Sequence, residues 1–167
     1  MNKTEHYISK LALEKHPEGG WFKEVYSSNE LIKAEHLPAR FKGHRRHSTS
    51  IYFLLTGDTF SALHRIKSDE LWHFYDGSPV SIHMIDEKGN YSAARLGHDV
   101  EEGEVFQFAV PAGVWFGATI NDKDSFTLVG CTVAPGFHFD DFELGVRGEL
   151  VKSFPQHKGV IEKLTRG

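Results

Sequence analysis

From Phe22 to Val133 the chain alternates apolar and polar residues with a period of two, interrupted by a turn signal roughly every 8–12 residues. Successive side chains of a strand point to opposite faces, so each such segment can bury one face. Nine segments fit: Phe22–Ser27, Ser50–Thr56, Thr59–Ile66, Glu70–Tyr75, Val80–Ile85, Tyr91–Leu96, Val105–Val110, Val114–Ile120 and Ser125–Val133. Gly57, Gly77, Gly89, Pro111-Ala112-Gly113 and Asn121-Asp122 stand between them as breakers. No helical pattern long enough for a crossover separates the strands. A βαβ sheet is therefore excluded and an all-β sandwich or barrel is expected. Ser50–Leu55 is apolar on both faces, which marks a central, twice-covered strand.

The ends read differently. Thr4 can cap a short helix whose apolar positions are Ile8, Leu11 and Ala12, and His16-Pro17-Glu18-Gly19-Gly20 stops it. After Pro155, residues Val160, Ile161 and Leu164 recur at helical spacing around Gly159. Residues Ser28–Ser48 are the least regular. Leu31-Ile32-Lys33 suits a helical turn, and Lys42–His47 reads as a loop.

Composition narrows the function classes. The chain has 167 residues, one domain's worth (1–167), with 40% hydrophobic and 25% charged residues and a net charge of -4. This excludes a disordered chain and argues against a nucleic-acid binder. No apolar run approaches the roughly 20 residues of a membrane span. The first twenty residues carry scattered charges unlike a secretory signal, so a cytoplasmic protein is expected. One cysteine, Cys131, allows no intramolecular disulfide. Thirteen Phe and eleven His point to an aromatic core or pocket and raise the question of a metal.

His64, Ile66, Glu70 and Gly77 stand at the spacing H-x-I-x3-E-x6-G. Gly103, Pro111-Ala112-Gly113 and Phe116 follow, with seven residues between Gly103 and Pro111. These resemble the two cupin motifs, in which three His and one Glu hold a divalent transition metal inside a barrel. Here Ile66 and Phe116 replace two of the four ligands. No cofactor is expected on that count, and His64 with Glu70 forms only a weak alternative metal site.

Six segments narrow the resemblance. They are His16-Pro17-Glu18-Gly19-Gly20, Ser50–Leu55, Ser61–Arg65, Ser68–Gly77, Val110–Trp115 and Ala134–Leu144, in this order. Together they resemble the cupin-5 family of uncharacterised cupins, similar to the dTDP-sugar epimerase branch, from about Ile8 to Phe154. The resemblance implies a double-stranded β-helix, the cupin jelly-roll sandwich, with short N- and C-terminal helices, assembled as a homodimer. Where this chain has Phe116, similar sequences more often carry Gln.

By alternation His64 and Ile66 face inward, Glu70 shares its face with Trp72 and Phe74, and Phe116 shares its face with Ala118. These seven residues are the expected ligand pocket. A carboxyl among such neighbours has its pKa raised by desolvation unless His64 compensates as imidazolium. His64 and Glu70 are then either a ligand anchor, an acid/base pair, or a hydrogen-bonded remnant of a metal site. His73 falls on the outer face, His83 is a half-buried sheet residue, and Trp115 is a packing residue or lines the pocket mouth. Cys131 reads as a small core residue. His44-Arg45-Arg46-His47 is a solvated loop or an anion contact at the rim. Phe137, Phe139 and Phe142 tuck the chain across a sheet or between subunits, beside Asp140, Asp141 and Glu143 as solvated partners, of which Asp141 could reach the pocket.

Two functions of different class follow. One is a protein that binds a small organic ligand in an aromatic-lined pocket without chemistry. The other is a metal-independent sugar-type isomerase or epimerase, with His64 or Glu70 removing a proton and Tyr52 or Tyr75 returning one. The residues are compatible with binding and with catalysis.

Overall fold

A computed structural model of the chain describes residues 2–167. Helix α1 (Lys3–Lys10) precedes strands β1 (Glu14–Lys15), β2 (Trp21–Ser27), β3 (Leu31–Ile32), β4 (Arg45–Arg46), β5 (Thr49–Thr56), β6 (Ser61–Arg65) and β7 (Asp69–Gly77). Strands β8 (Val80–Ile85), β9 (Tyr91–Leu96), β10 (Gln107–Val110), β11 (Trp115–Ile120), β12 (Phe126–Ala134) and β13 (Glu143–Leu144) follow. Helices α2 (Arg147–Ser153) and α3 (Lys158–Lys163) end the chain.

The strands form two antiparallel sheets, β1-β2-β5-β12-β7-β10 and β13-β6-β11-β8-β9, and a small β3-β4 ribbon. The order is that of a jelly-roll sandwich, and each of the nine alternating segments forms a strand. Their inner faces make the core. Phe53, Val129 and Phe74 stand in one register row across the larger sheet, and Ile51, Cys131 and Trp72 in the next. Phe116 opposite Met84 and Ala118 opposite Ile82 come from the other sheet. Phe116 is 1% exposed, and burying a side chain of that size contributes roughly 2–3 kcal/mol.

Two bulges matter for the site. Between β6 and β11 the register shifts, so His64 pairs with Phe116 while Ser61, three residues earlier, pairs with Ala118. Between β7 and β12 a shift at Leu128/Val129 displaces Tyr75, whose ring lies over Gly130. A bulge changes side-chain parity, and a local alternation pattern does not reveal it.

The irregular segments depart from expectation. Asn2, not Thr4, caps α1: the Glu5 N–H donates to Asn2 Oδ1 at 2.8 Å and Glu5 returns a carboxylate to the Asn2 N–H, a capping box. The helix ends at Lys10, and Ala12 takes a left-handed conformation with φ 51°. Leu31 and Ile32 form a strand rather than a helical turn, because Arg46 and Arg45 pair with them from a distant part of the chain. Two helices, not one, follow the barrel. Leu150, Ile161 and Leu164 cover Leu63, Ile85 and Trp115.

Candidate functional site

A cavity of about 150 Å³ opens at one end of the sandwich. An apolar protein cavity of that volume admits about one six-membered ring. His64, Ile66, Glu70 and Trp72 line it. Glu70 comes from the larger sheet and His64 from the smaller, so strand alternation on facing sheets brings them together. The exposed side chains of Glu24 and Phe139 lie at its mouth.

Glu18 is the residue that sequence reasoning missed. It is 7% exposed and reaches His64, with Oε2 3.0 Å from Nδ1. Two glycines deliver it. Gly19 and Gly20 have φ 110° and 80°, and a Cβ on Gly19 would sit 2.3 Å from the Phe60 carbonyl oxygen. Only glycine lets the turn approach β5 and β6 this closely. The Ala62 N–H and Arg166 then donate to the Glu18 carbonyl, at 3.2 and 2.7 Å. The signal was present in Pro17-Glu18-Gly19-Gly20, a turn with one carboxyl at its tip, but nothing local tells that the tip points inward.

The electrostatics follow from burial. His64 Nδ1 lies 2.7 Å from the Ala62 carbonyl oxygen. An acceptor there places the proton on Nδ1 and leaves the Nε2 lone pair free in neutral imidazole. Desolvation pushes the His64 pKa down, against the opposing pull of Glu70. The contact with Glu18 is therefore the approach of a carboxyl to a neutral ring rather than an ion pair. Burial pushes Glu18 up to about 8, moderated by the Ser61 hydroxyl and Arg166. It pushes Glu70 up to about 7, where His64 and Cys131 favour the anion and Glu18 opposes it. The nearby Trp72 indole also favours the anion, although its Nε1 makes no hydrogen bond of normal geometry. His16, whose Nδ1 accepts from the Glu18 N–H at 3.1 Å, is pushed down to about 4 by burial and by His64.

Other sequence-predicted residues lie elsewhere. Phe74, Phe116 and Ala118 belong to the packed core, not the cavity lining. Phe116 instead supports the His64 ring at a centroid distance of 4.1 Å. Their faces are inward as alternation requires, but the two sheets close upon them. Tyr52 and Tyr75 share the outer face of the larger sheet, with rings 6.1 Å apart, so neither can return a proton inside the barrel. Trp115 packs under the C-terminal helices with Arg65 over its ring. His73 and His83 bond to Thr132 and Thr119 within their sheets.

In the basic cluster His44, Arg46 and His47 are exposed, but Arg45 is not. Arg45 is 3% exposed and makes a bidentate pair with Asp141, both contacts 2.7 Å. Asp141, expected among solvated partners, is 5% exposed. The pair anchors a strap, residues 136–144, across the cavity mouth. Phe137 N–H donates to Thr49 Oγ1 at 2.9 Å, and β13 pairs with β6 at Arg65 and His64. Phe142 lies against the His64 ring, while Phe137 and Phe139 line the mouth.

A tightly held divalent metal needs several converging donors. Among the described residues no three His, Cys, Asp or Glu side chains are so placed. Ile66 and Phe116 supply no donor atoms, and His64 turns Nδ1 to Ala62 and Glu18. The residues present do not fit such an ion.

A jelly-roll barrel with its polar group on the inner ends of β6 and β7 is the architecture of the cupins. The chain matches the Cupin_5 family, described as Cupin superfamily (DUF985), over residues 5–145, and belongs to it. It is 29% identical over 148 residues to the uncharacterized protein YML079W of Saccharomyces cerevisiae, covering 84% of this chain and 74% of that one. Protein SO0799 from Shewanella oneidensis is 42% identical with a TM-score of 0.89, over 99% of both chains. A hypothetical protein from Leishmania major is 33% identical with a TM-score of 0.89, over 99% of this chain and 100% of that one. Bacillus subtilis oxalate decarboxylase shares the fold alone, at 15% identity and a TM-score of 0.55, over 90% of this chain and 37% of that chain. No helix among the described residues is long and apolar enough to cross a membrane.

Proposed function

We propose that the protein binds a small organic ligand in the barrel cavity, with Glu18, His64 and Glu70 as its polar anchors. The observation that carries this is the convergence of three buried titratable side chains on a cavity with apolar walls. Buried ionisable groups are costly, and an accessible cavity gives them a use. His64→Ala and Glu70→Gln should each weaken a ligand retained through purification, read by native mass spectrometry, with circular dichroism unchanged. Retention equal to the parent in both variants would place the site elsewhere. Elemental analysis of protein purified without chelator should find far less than one transition metal per chain, and near-stoichiometric metal would overturn the metal-free reading.

The pKa values support a second reading, metal-independent proton transfer of the isomerase type. Glu70 at about 7 and Glu18 at about 8 are matched to neutral pH. Glu70 or His64 Nε2 would remove a proton beside a carbonyl, and Glu18 would return it in place of a tyrosine. Solvent deuterium should then exchange into a small ketone such as cyclopentanone, with loss of exchange in Glu70→Gln.

We also propose that two copies associate. Val25 and Tyr26, on the part of β2 beyond its pairing with β1, are 51% and 54% exposed. Light scattering should report twice the chain mass, and a monomer at micromolar concentration would overturn this.

A further inference from the structure

We propose that the cavity selects a small organic cation, a protonated amine that also carries an oxygen acceptor, and rejects carboxylates and phosphates. This rests on the reading of the cavity as a ligand site and names the chemistry of its ligand.

The first support is the charge of the lining. Glu18, Glu24 and Glu70 face the cavity, and no Lys or Arg among the described residues does. Arg166, which acts on the Glu18 carboxyl, is engaged by the carbonyl oxygens of Glu18 and Phe60, at 2.7 and 3.3 Å, and by the Phe60 ring. The histidines do not offset the carboxyls, because burial holds His16 and His64 toward their neutral forms. A ligand carboxylate would find no cation in the lining, and its charge would oppose ionisation of Glu18 and Glu70. A ligand ammonium would meet two buried carboxyls in a medium where pairing is strong.

The walls give the second support. Phe22, Phe53, Trp72, Phe137 and Phe139 line the same cavity. Aromatic side chains attract cations through the ring quadrupole, most when water is excluded. They also match the apolar part of a ring-sized ligand.

The third support is independent of charge. The Trp72 indole N–H belongs to a side chain 2% exposed that lines the cavity, and beside Glu70 it makes no hydrogen bond of normal geometry. A buried donor left unpaired is destabilising, so an acceptor on the ligand fits there. Amine and acceptor together define an amino ether, amino alcohol or amino ketone of about six heavy atoms.

The carboxyls that hold protons at neutral pH would exchange them for the ligand's charge. Binding of a cation therefore releases protons, whereas binding of its neutral isostere does not.

The test uses three ring compounds of equal heavy-atom count, titrated at pH 7 by calorimetry against the intact protein. They are morpholine, protonated at that pH, tetrahydropyran, its uncharged isostere, and cyclopropanecarboxylate. Morpholine should bind about tenfold or more tighter than tetrahydropyran, with proton release seen by comparing two buffers, and the carboxylate should bind weakest. The double variant Glu18→Gln, Glu70→Gln, folded by circular dichroism, should bring morpholine to the affinity of tetrahydropyran. Equal binding of morpholine and tetrahydropyran, tighter binding of the carboxylate, or a preference that survives in the double variant overturns charge selection and leaves the ligand cavity standing. Binding of none of the three overturns the ligand cavity itself.

Discussion

Two buried polar clusters lie a few residues apart in this molecule, and they are built in opposite ways. Arg45 and Asp141 are fully matched: opposite charges, two parallel hydrogen bonds, and the Phe41 ring beneath the guanidinium. Glu18, His64 and Glu70 are mismatched: two carboxyls whose proton affinity burial raises, Glu18 adding to that of Glu70, around a ring held neutral. The first cluster closes a strap and has no valence left over. The second keeps a free imidazole nitrogen and an indole N–H without a hydrogen bond of normal geometry, beside a cavity. Complete pairing marks the structural site, and incomplete pairing beside a cavity marks the candidate functional one.

The comparison can be broken at several points. The largest effect is expected behind the cavity, where Phe116→Ala would remove both core volume and the support of the His64 ring. It should lower stability by about 4 kcal/mol in urea unfolding. A loss under about 1 kcal/mol would mean the site is not braced from the core. Next comes the strap. Asp141→Ala leaves Arg45 buried without its partner and should destabilise by about 3 kcal/mol. Faster proteolysis near Phe139 should accompany it.

Glu70→Gln should do the reverse at alkaline pH. Glu18 and Glu70 have folded pKa values of about 8 and about 7, raised from 4.5. Between the unfolded and folded values the native state binds more protons, so their contribution is lost progressively as pH rises from about 4.5 and is gone by about 8. His16, lowered from 6.5 to about 4, acts oppositely and loses stability as pH falls below 6.5. Melting temperature should therefore fall from pH 6.5 to about 8. At pH 8.5 Glu70→Gln should melt higher than the parent, by on the order of 2 kcal/mol. A parent curve flat from pH 6.5 to 8.5 would remove the mismatch on which the comparison rests. The smallest effect is at Thr127, whose hydroxyl is buried and unpartnered on β12, away from the cavity lining. Thr127→Val should stabilise by about 1 kcal/mol at any pH. If it destabilises by that amount, an unseen partner satisfies the hydroxyl.

The strands were legible because alternation is a local property. Val80–Ile85 and Tyr91–Leu96 could be bounded to the residue from their period and the glycine turns beside them. The opposition of His64 and Glu70 was legible for the same reason, as inward residues of neighbouring segments. Ser61 was not, because a bulge in β6 brings it to the inner face out of step with His64. Phe116 faces inward as expected and still misses the cavity, since a facing direction does not say how far the sheets stand apart. Arg45 looked like a surface charge because its partner lies ninety-six residues on.

The amino-acid sequence by itself determined the strand periodicity, the turns, the absence of metal-binding side chains at positions 66 and 116, and the family likeness. Each of these depends on residue type and near neighbours. Only the tertiary structure decided that Glu18 joins the site, that Phe74 and the tyrosines do not, and that a basic loop closes over a buried aspartate. Those outcomes depend on long-range packing: a glycine turn pressed against another strand, a register shift, and an ion pair across the chain.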